Sequence, residues 1–140
     1  MKKILLLILV SMMMLLMANT TLATMPTSGA CGENIKWYYD SPTATLTISG
    51  TGDMPDYIMS TENEAPWHRF KKSICNIVIK GGVTSIGDYS FRFCNLLSNV
   101  SIASTVKEIG NNAFSNCQSL KTIDIPKGVE TIDFEAFEYC

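Results

Sequence analysis

Histidine is almost missing from the chain: of 140 residues, only His68 carries an imidazole. One His rules out a two-His metal site and leaves a single base for any nucleophile that depends on imidazole. Blocks of basic residues are missing too, with 11 Lys+Arg against 13 Asp+Glu and a pI near 5.3. A phosphate-tracking surface is therefore not expected, and nucleic acid drops out as a partner. The 5 cysteines include no C-x-x-C pair, which removes the common zinc and dithiol motifs. Their odd number leaves at least one thiol unpaired within the chain. No metal and no cofactor is expected, and the composition disfavours an enzyme. The length suits one domain or one repeat array.

Hydrophobic residues make up 46% of the chain, and they are concentrated at its start. Lys2 and Lys3 precede an apolar run from Ile4 to Ala18, and Thr21-Leu22-Ala23 places small residues where a peptidase cuts. Residues 1–23 read as a signal peptide. The apolar run is shorter than the roughly 20 residues that span a bilayer, so no membrane span is expected after cleavage. Losing Lys2 and Lys3 leaves the exported chain two charges more negative than the formal −2.

The rest of the chain repeats itself with a period of 23. Val83, Val106 and Val129 form one series, and Ile86, Ile109 and Ile132 the next. Phe91, Phe114 and Phe137 form a third, and Cys94, Cys117 and Cys140 a fourth. Leu97 with Leu120, Val100 with Ile123 and Ile102 with Ile125 keep the same register, and Ile74, Ile77 and Ile79 extend it upstream. A fixed period of this size is the signature of a stacked repeat architecture. Within one unit, Leu120-x-x-Ile123-x-Ile125 alternates and is β-branched, which predicts a short strand closed by Pro126. Ala113-Phe114-x-x-Cys117-x-x-Leu120 is spaced by threes, which predicts a helical or 3-10 turn capped by Asn111-Asn112. The expected fold is a β-rich solenoid, one short strand and one helical turn per repeat.

The unit from Val106 to Pro126 resembles the BspA-type leucine-rich repeat of bacterial surface and secreted proteins. The resemblance covers residues 74–140. The preceding residues from Cys31 through Leu46, Gly50, Gly52 and Pro55 to Ala65-Pro66-Trp67 are similar to the region that often leads such arrays. It implies a secreted or cell-surface location and an adhesion role. Three departures bear on local turns: Asp133 stands where the other units have Gly87 and Gly110, Phe134 follows it, and Ala103 stands at the Pro126 position.

Residues 24–73 read as an N-terminal cap. Ile35 to Tyr39 and Thr45 to Ile48 are strand-like runs separated by Asp40-Ser41-Pro42-Thr43, which predicts a β-hairpin. Such a hairpin would cover the open end of the first repeat. At the other end the sequence stops at Cys140 within a repeat, so a C-terminally truncated array of marginal stability is expected.

Candidate sites divide into a surface and several weaker clusters. Strand residues pointing away from the core should form rows, Asn76, Asn99 and Thr122; Val78, Ser101 and Asp124; Lys80, Ala103 and Pro126. That face would suit a protein or glycan ligand on a host or neighbouring cell. Cys94, Cys117 and Cys140 read as core thiols, since equivalent side chains point the same way, while pairing of Cys31 with Cys75 stays open. His68 aligns with the Phe91 position and should pack in the capping layer; a nucleophile pair with Cys75 is the catalytic alternative. Asp53, Asp56, Glu62 and Glu64 lack calcium-loop spacing and read as a solvated loop. Asn99-Val100-Ser101 matches a glycosylation acceptor, although Asn99 falls within an expected strand. Two functions follow: a non-catalytic recognition module, or the scaffold or targeting region of a larger secreted enzyme whose catalytic domain lies beyond residue 140.

Overall fold

The computed structural model describes residues 26–60 and 62–140. The expected leader over residues 1–23 lies outside the described residues. Among them are nine short strands: β1 (Ser28–Ala30), β2 (Ile35–Asp40), β3 (Thr45–Gly50), β4 (Gly52–Asp53), β5 (Asn76–Ile79), β6 (Val83–Ile86), β7 (Asn99–Ile102), β8 (Glu108–Ile109) and β9 (Thr131–Ile132). The one helix among the described residues is a single 3-10 turn, His68–Phe70.

The strands form two sheets, one ordered β1-β2-β3-β5-β7 and the other β4-β6-β8-β9. In the first, β2 and β3 form the expected antiparallel hairpin, with Trp37 opposite Ile48 and Tyr39 opposite Leu46. From β3 onward the pairing is parallel: Leu46 and Ile48 stand beside Ile77 and Ile79, which stand beside Val100 and Ile102. Alternation in β2 and β3 puts Ile35, Trp37, Tyr39, Leu46 and Ile48 into the core and their neighbours outside. The hairpin and the repeats thus share one hydrophobic interior.

The second sheet was not expected. The segment Val83–Ile86 and its equivalents pair in parallel, with Ile86, Ile109 and Ile132 in one row. The repeat beginning at Val83 therefore contributes to two ladders, β6 to one and β7 to the other, because Val and Ile bracketing two polar residues fit a pleated, half-buried edge as well as Ile-x-Ile does.

The turn between these strands corrects the expectation of a 3-10 helix in every repeat. Backbone donors alternate there. Ser90, Arg92 and Cys94 donate to carbonyls three residues back, whereas Tyr89, Phe91 and Phe93 donate across to Asn111, Ala113 and Ser115 of the next repeat. The pattern recurs as Asn112, Phe114 and Asn116 donate to Phe134, Ala136 and Glu138. A continuous 3-10 helix would spend every donor within its own repeat; here half of them join neighbours. The geometry requires left-handed backbone at Tyr89, Phe93, Asn112, Asn116, Glu135 and Tyr139. Asn suits that region, and Asn112 is therefore a left-handed turn residue rather than a helix cap.

A second correction concerns Leu120 to Ile125, which forms no strand. Lys80 N–H donates to the Ile48 carbonyl and Ala103 N–H to the Ile79 carbonyl, each bond closing one end of the ladder. The next equivalent is Pro126, which has no N–H to give. Nothing among the described residues covers the far side of this segment, and Ile125 is 37% exposed.

Aromatic rings stack through the repeats. Phe91 lies 5.2 Å from Phe114, and Phe114 lies 5.3 Å from Phe137. The first rung is Trp67, 5.6 Å from Phe91, with its indole N–H donating to the Ser90 carbonyl at 2.8 Å. Trp67 occupies the place expected of His68, because indole supplies both the apolar area and a donor for a buried carbonyl.

Candidate functional site

The outer face of the first sheet is built by side chains that the pleat turns away from the core. Asn76 and Asn99 stand opposite each other, as do Val78 and Ser101. The Asn99 amide donates to Asn76 Oδ1 at 3.0 Å, and the Asn76 amide donates to the Thr43 carbonyl at 3.0 Å. Lys80 is exposed and Ala103 half-buried just beyond the two strands. Thr122 and Asp124 are exposed and Pro126 half-buried, but their segment carries no ladder bond and does not extend the rows.

The rows extend instead in the opposite direction, onto the hairpin. Thr45 stands beside Asn76 and Thr47 beside Val78, and across β3 lie Tyr38 and Lys36. Tyr38 is 51% exposed, a large aromatic on an otherwise hydroxyl- and amide-rich face. Sequence reasoning missed Lys36, Tyr38, Thr45, Thr47 and Ser49 because the hairpin was read as a cover. The alternation within β2 and β3 was the signal that could have found them.

A crevice of about 140 Å³ opens elsewhere, between the loop before Trp67 and the turn after β6. Tyr57, Trp67, Tyr89 and Phe93 supply aromatic wall, and Glu64, His68, Lys71 and Arg92 supply its polar groups. His68 Nδ1 lies 2.6 Å from Glu64 Oε2, and its Nε2 contacts Lys71 Nζ. Burial, then the Lys71 charge, lowers the His68 pKa below its ordinary value. The neutral ring, donating from Nδ1 to Glu64 and accepting at Nε2, satisfies both neighbours.

Cys31, Cys94 and Cys117 are buried, Cys75 is half-buried and Cys140 is exposed. All five cysteines are free. Burial raises the Cys94 thiol to about 12 and Cys31 to about 11, and it raises Cys117 and Cys140 as well. Cys117 Sγ donates to the Phe91 carbonyl and Cys140 Sγ to the Phe114 carbonyl, each at 3.3 Å. A protonated thiol that satisfies a carbonyl of the preceding repeat accounts for Cys117 and Cys140 without invoking reactivity. Cys75 bonds weakly to the Ser73 carbonyl at 3.8 Å and is not part of the crevice that holds His68.

The acidic residues do not gather into a metal site. Asp53 Oδ1 accepts from Thr84 at 2.5 Å, and Asp56 Oδ1 accepts from the Asp88 backbone at 2.9 Å. Asp88 in turn accepts from the Asn111 backbone at 2.6 Å. These carboxylates join consecutive turns. Among the described residues no group of three His, Cys, Asp or Glu could hold a metal ion, and no helix is long and apolar enough to cross a membrane.

Comparison with known proteins bears on this architecture. The family model described as the BspA type leucine rich repeat region matches residues 67–140, in 6 copies. A leucine-rich repeat protein from Eubacterium ventriosum is 33% identical with a TM-score of 0.68, over 75% of this chain and 27% of its own. Another from Bacteroides ovatus is 23% identical with a TM-score of 0.51, over 78% of this chain and 32% of its own, and it shares the fold. The chain thus spans about a quarter to a third of the length of these two proteins. No curated protein matches it.

Proposed function

Since the chain belongs to the family of BspA-type leucine-rich repeat proteins, whose fold suits protein binding and recognition, we propose that it is a non-catalytic adhesion or recognition module, secreted or held at the cell surface. Its first-sheet outer face meets a protein or glycan ligand on a host or neighbouring cell. The observation that carries this reading is the in-register set of rows running from Thr45 and Thr47 through Asn76 and Val78 to Asn99 and Ser101. Rows of hydroxyl and amide side chains about 4.8 Å apart, interrupted by the apolar Val78 and held by a ladder buried on its other face, present groups whose ordering has already been achieved in folding.

In this reading the array is a solenoid, residues 24–73 are its cap and residues 1–23 direct export. The hairpin supports the cap, since its inner face carries Trp37, Tyr39, Leu46 and Ile48 against the repeats. The test is binding of the full chain to immobilised matrix proteins and polysaccharides, compared with Asn99→Arg/Ser101→Arg. Both positions are exposed, so the fold should persist while binding falls at least tenfold. Unchanged binding would remove the sheet face from consideration. The alternative, a scaffold or targeting region of a larger secreted enzyme, predicts a catalytic or docking domain encoded downstream, where the adhesion reading predicts further repeats and a surface anchor.

A further inference from the structure

We propose that the crevice between the 57–65 loop and the turn after β6 is a second binding site, for a carboxylate carried on a small apolar group. It shares no residue with the sheet face. Three observations converge on it.

The first is charge. The chain is acidic overall, yet the crevice holds Lys71 and Arg92, and neither has a carboxylate partner among the described residues. Glu64, the acid in its wall, is already taken by His68. The second is unmet hydrogen bonding. Arg92 Nε is shut from solvent without a partner. Arg92 Nη1 lies against the Met59 side chain, which is 67% exposed. A guanidinium without an anionic acceptor presents the planar fork that fits a carboxylate.

The third is shape and orientation. The Arg92 guanidinium lies 4.6 Å from the Phe93 ring centre and 5.6 Å from that of Tyr89, and Lys71 Nζ lies 5.8 Å from Phe93. These stacking contacts fix the cations before a ligand arrives. Trp67 and Tyr57, their rings 5.7 Å apart and edge to face, supply apolar wall. The volume, about 140 Å³, approaches that of cavities of about 150 Å³ known to admit benzene. The ligand is then an aromatic or short aliphatic acid, either free or as the C-terminal residue of a peptide.

The experiment titrates the full chain with benzoate, with benzylamine, and with a short peptide ending in Phe as the free acid or the amide, following tryptophan fluorescence in the Trp37→Phe background so that Trp67 reports alone. Saturable binding of benzoate or of the free-acid peptide, with none of benzylamine or the amide, is expected. Benzoate binding alone assigns a free acid; much tighter peptide binding assigns a chain terminus. Arg92→Gln should weaken binding at least tenfold, and Lys71→Gln should do so by several-fold. Thermal melting accompanies both variants, and if Arg92→Gln fails to fold, Lys71→Gln carries the test. Absence of saturable binding by either acid, equal binding of benzylamine, or undiminished binding by a folded variant would overturn the proposal.

Discussion

The second repeat, from Val106, and the third, from Val129, share their Val, Ile, Phe and Cys positions in one register and end differently. Ile109 and Phe114 of the second are 0% exposed, whereas Ile132 of the third is 50% exposed and Phe137 is only half-buried. The second repeat has a neighbour on both sides, joined by backbone bonds through the second sheet and the turn ladder. The third has one neighbour among the described residues, and Pro126, which closes the unit before it, withholds the donor that would continue the first sheet. A position in the period thus specifies what a residue does only when both flanking repeats are present.

The largest effect that would test this comparison is cavity formation. Phe114→Ala should lower stability by about 3–5 kcal/mol, while Phe137→Ala should cost less than half of that because its ring is packed on one side. Urea denaturation of the two variants measures the difference, and equal losses would mean that the third repeat is as enclosed as the second. Next comes backbone approach. A Cβ on Gly110 would collide with the Asp88 carboxylate and backbone N, so Gly110→Ala should cost about 1–3 kcal/mol. Asp133 holds the same position without such a collision, and Asp133→Ala should change stability by no more than about 0.5 kcal/mol.

A smaller and opposite effect is expected at Pro126. Pro126→Ala restores the N–H that Lys80 and Ala103 use, and should add up to about 1 kcal/mol. Protection of Thr122–Ile125 amides from hydrogen exchange checks whether a third strand forms; unchanged exchange would show that the missing outer neighbour, and not proline, decides. The smallest effect concerns protonation of His68. Its folded pKa lies below the unfolded value of about 6.5, so the unfolded state binds the proton more readily. The stability that His68 contributes is present above pH of about 6.5 and is lost as pH falls through the folded value. His68→Gln should flatten that part of the melting-temperature profile between pH 7 and 5, and an unaltered slope would assign it to other groups.

Much of this was legible in the residues. The period identified the Val, Ile, Phe and Cys rows before any coordinates, and the structure buries them as rows in the first two repeats. The β2–β3 hairpin was legible from two alternating runs around a Ser-Pro-Thr turn. The second sheet was not, because Val83-Thr-Ser-Ile86 is too short for alternation to separate strand from loop. Nor was the turn ladder, since spacing by threes fits a helix as well as a turn whose alternate donors leave the repeat. Trp67 replaced His68 as the first rung because the register there shifts by one, which only stacking distances reveal. The crevice was invisible, its parts being drawn from Tyr57, Lys71 and Arg92, which share no motif and meet through folding.

By itself the sequence determined the repeat unit, its length and the identity of its buried rows, since those follow from the spacing of apolar side chains along one chain. Tertiary structure decided which rungs close, which residues face outward together and where cations stand unpaired. Those are properties of pairs, and a backbone donor or an apolar face acquires its meaning from the neighbour that stacks against it.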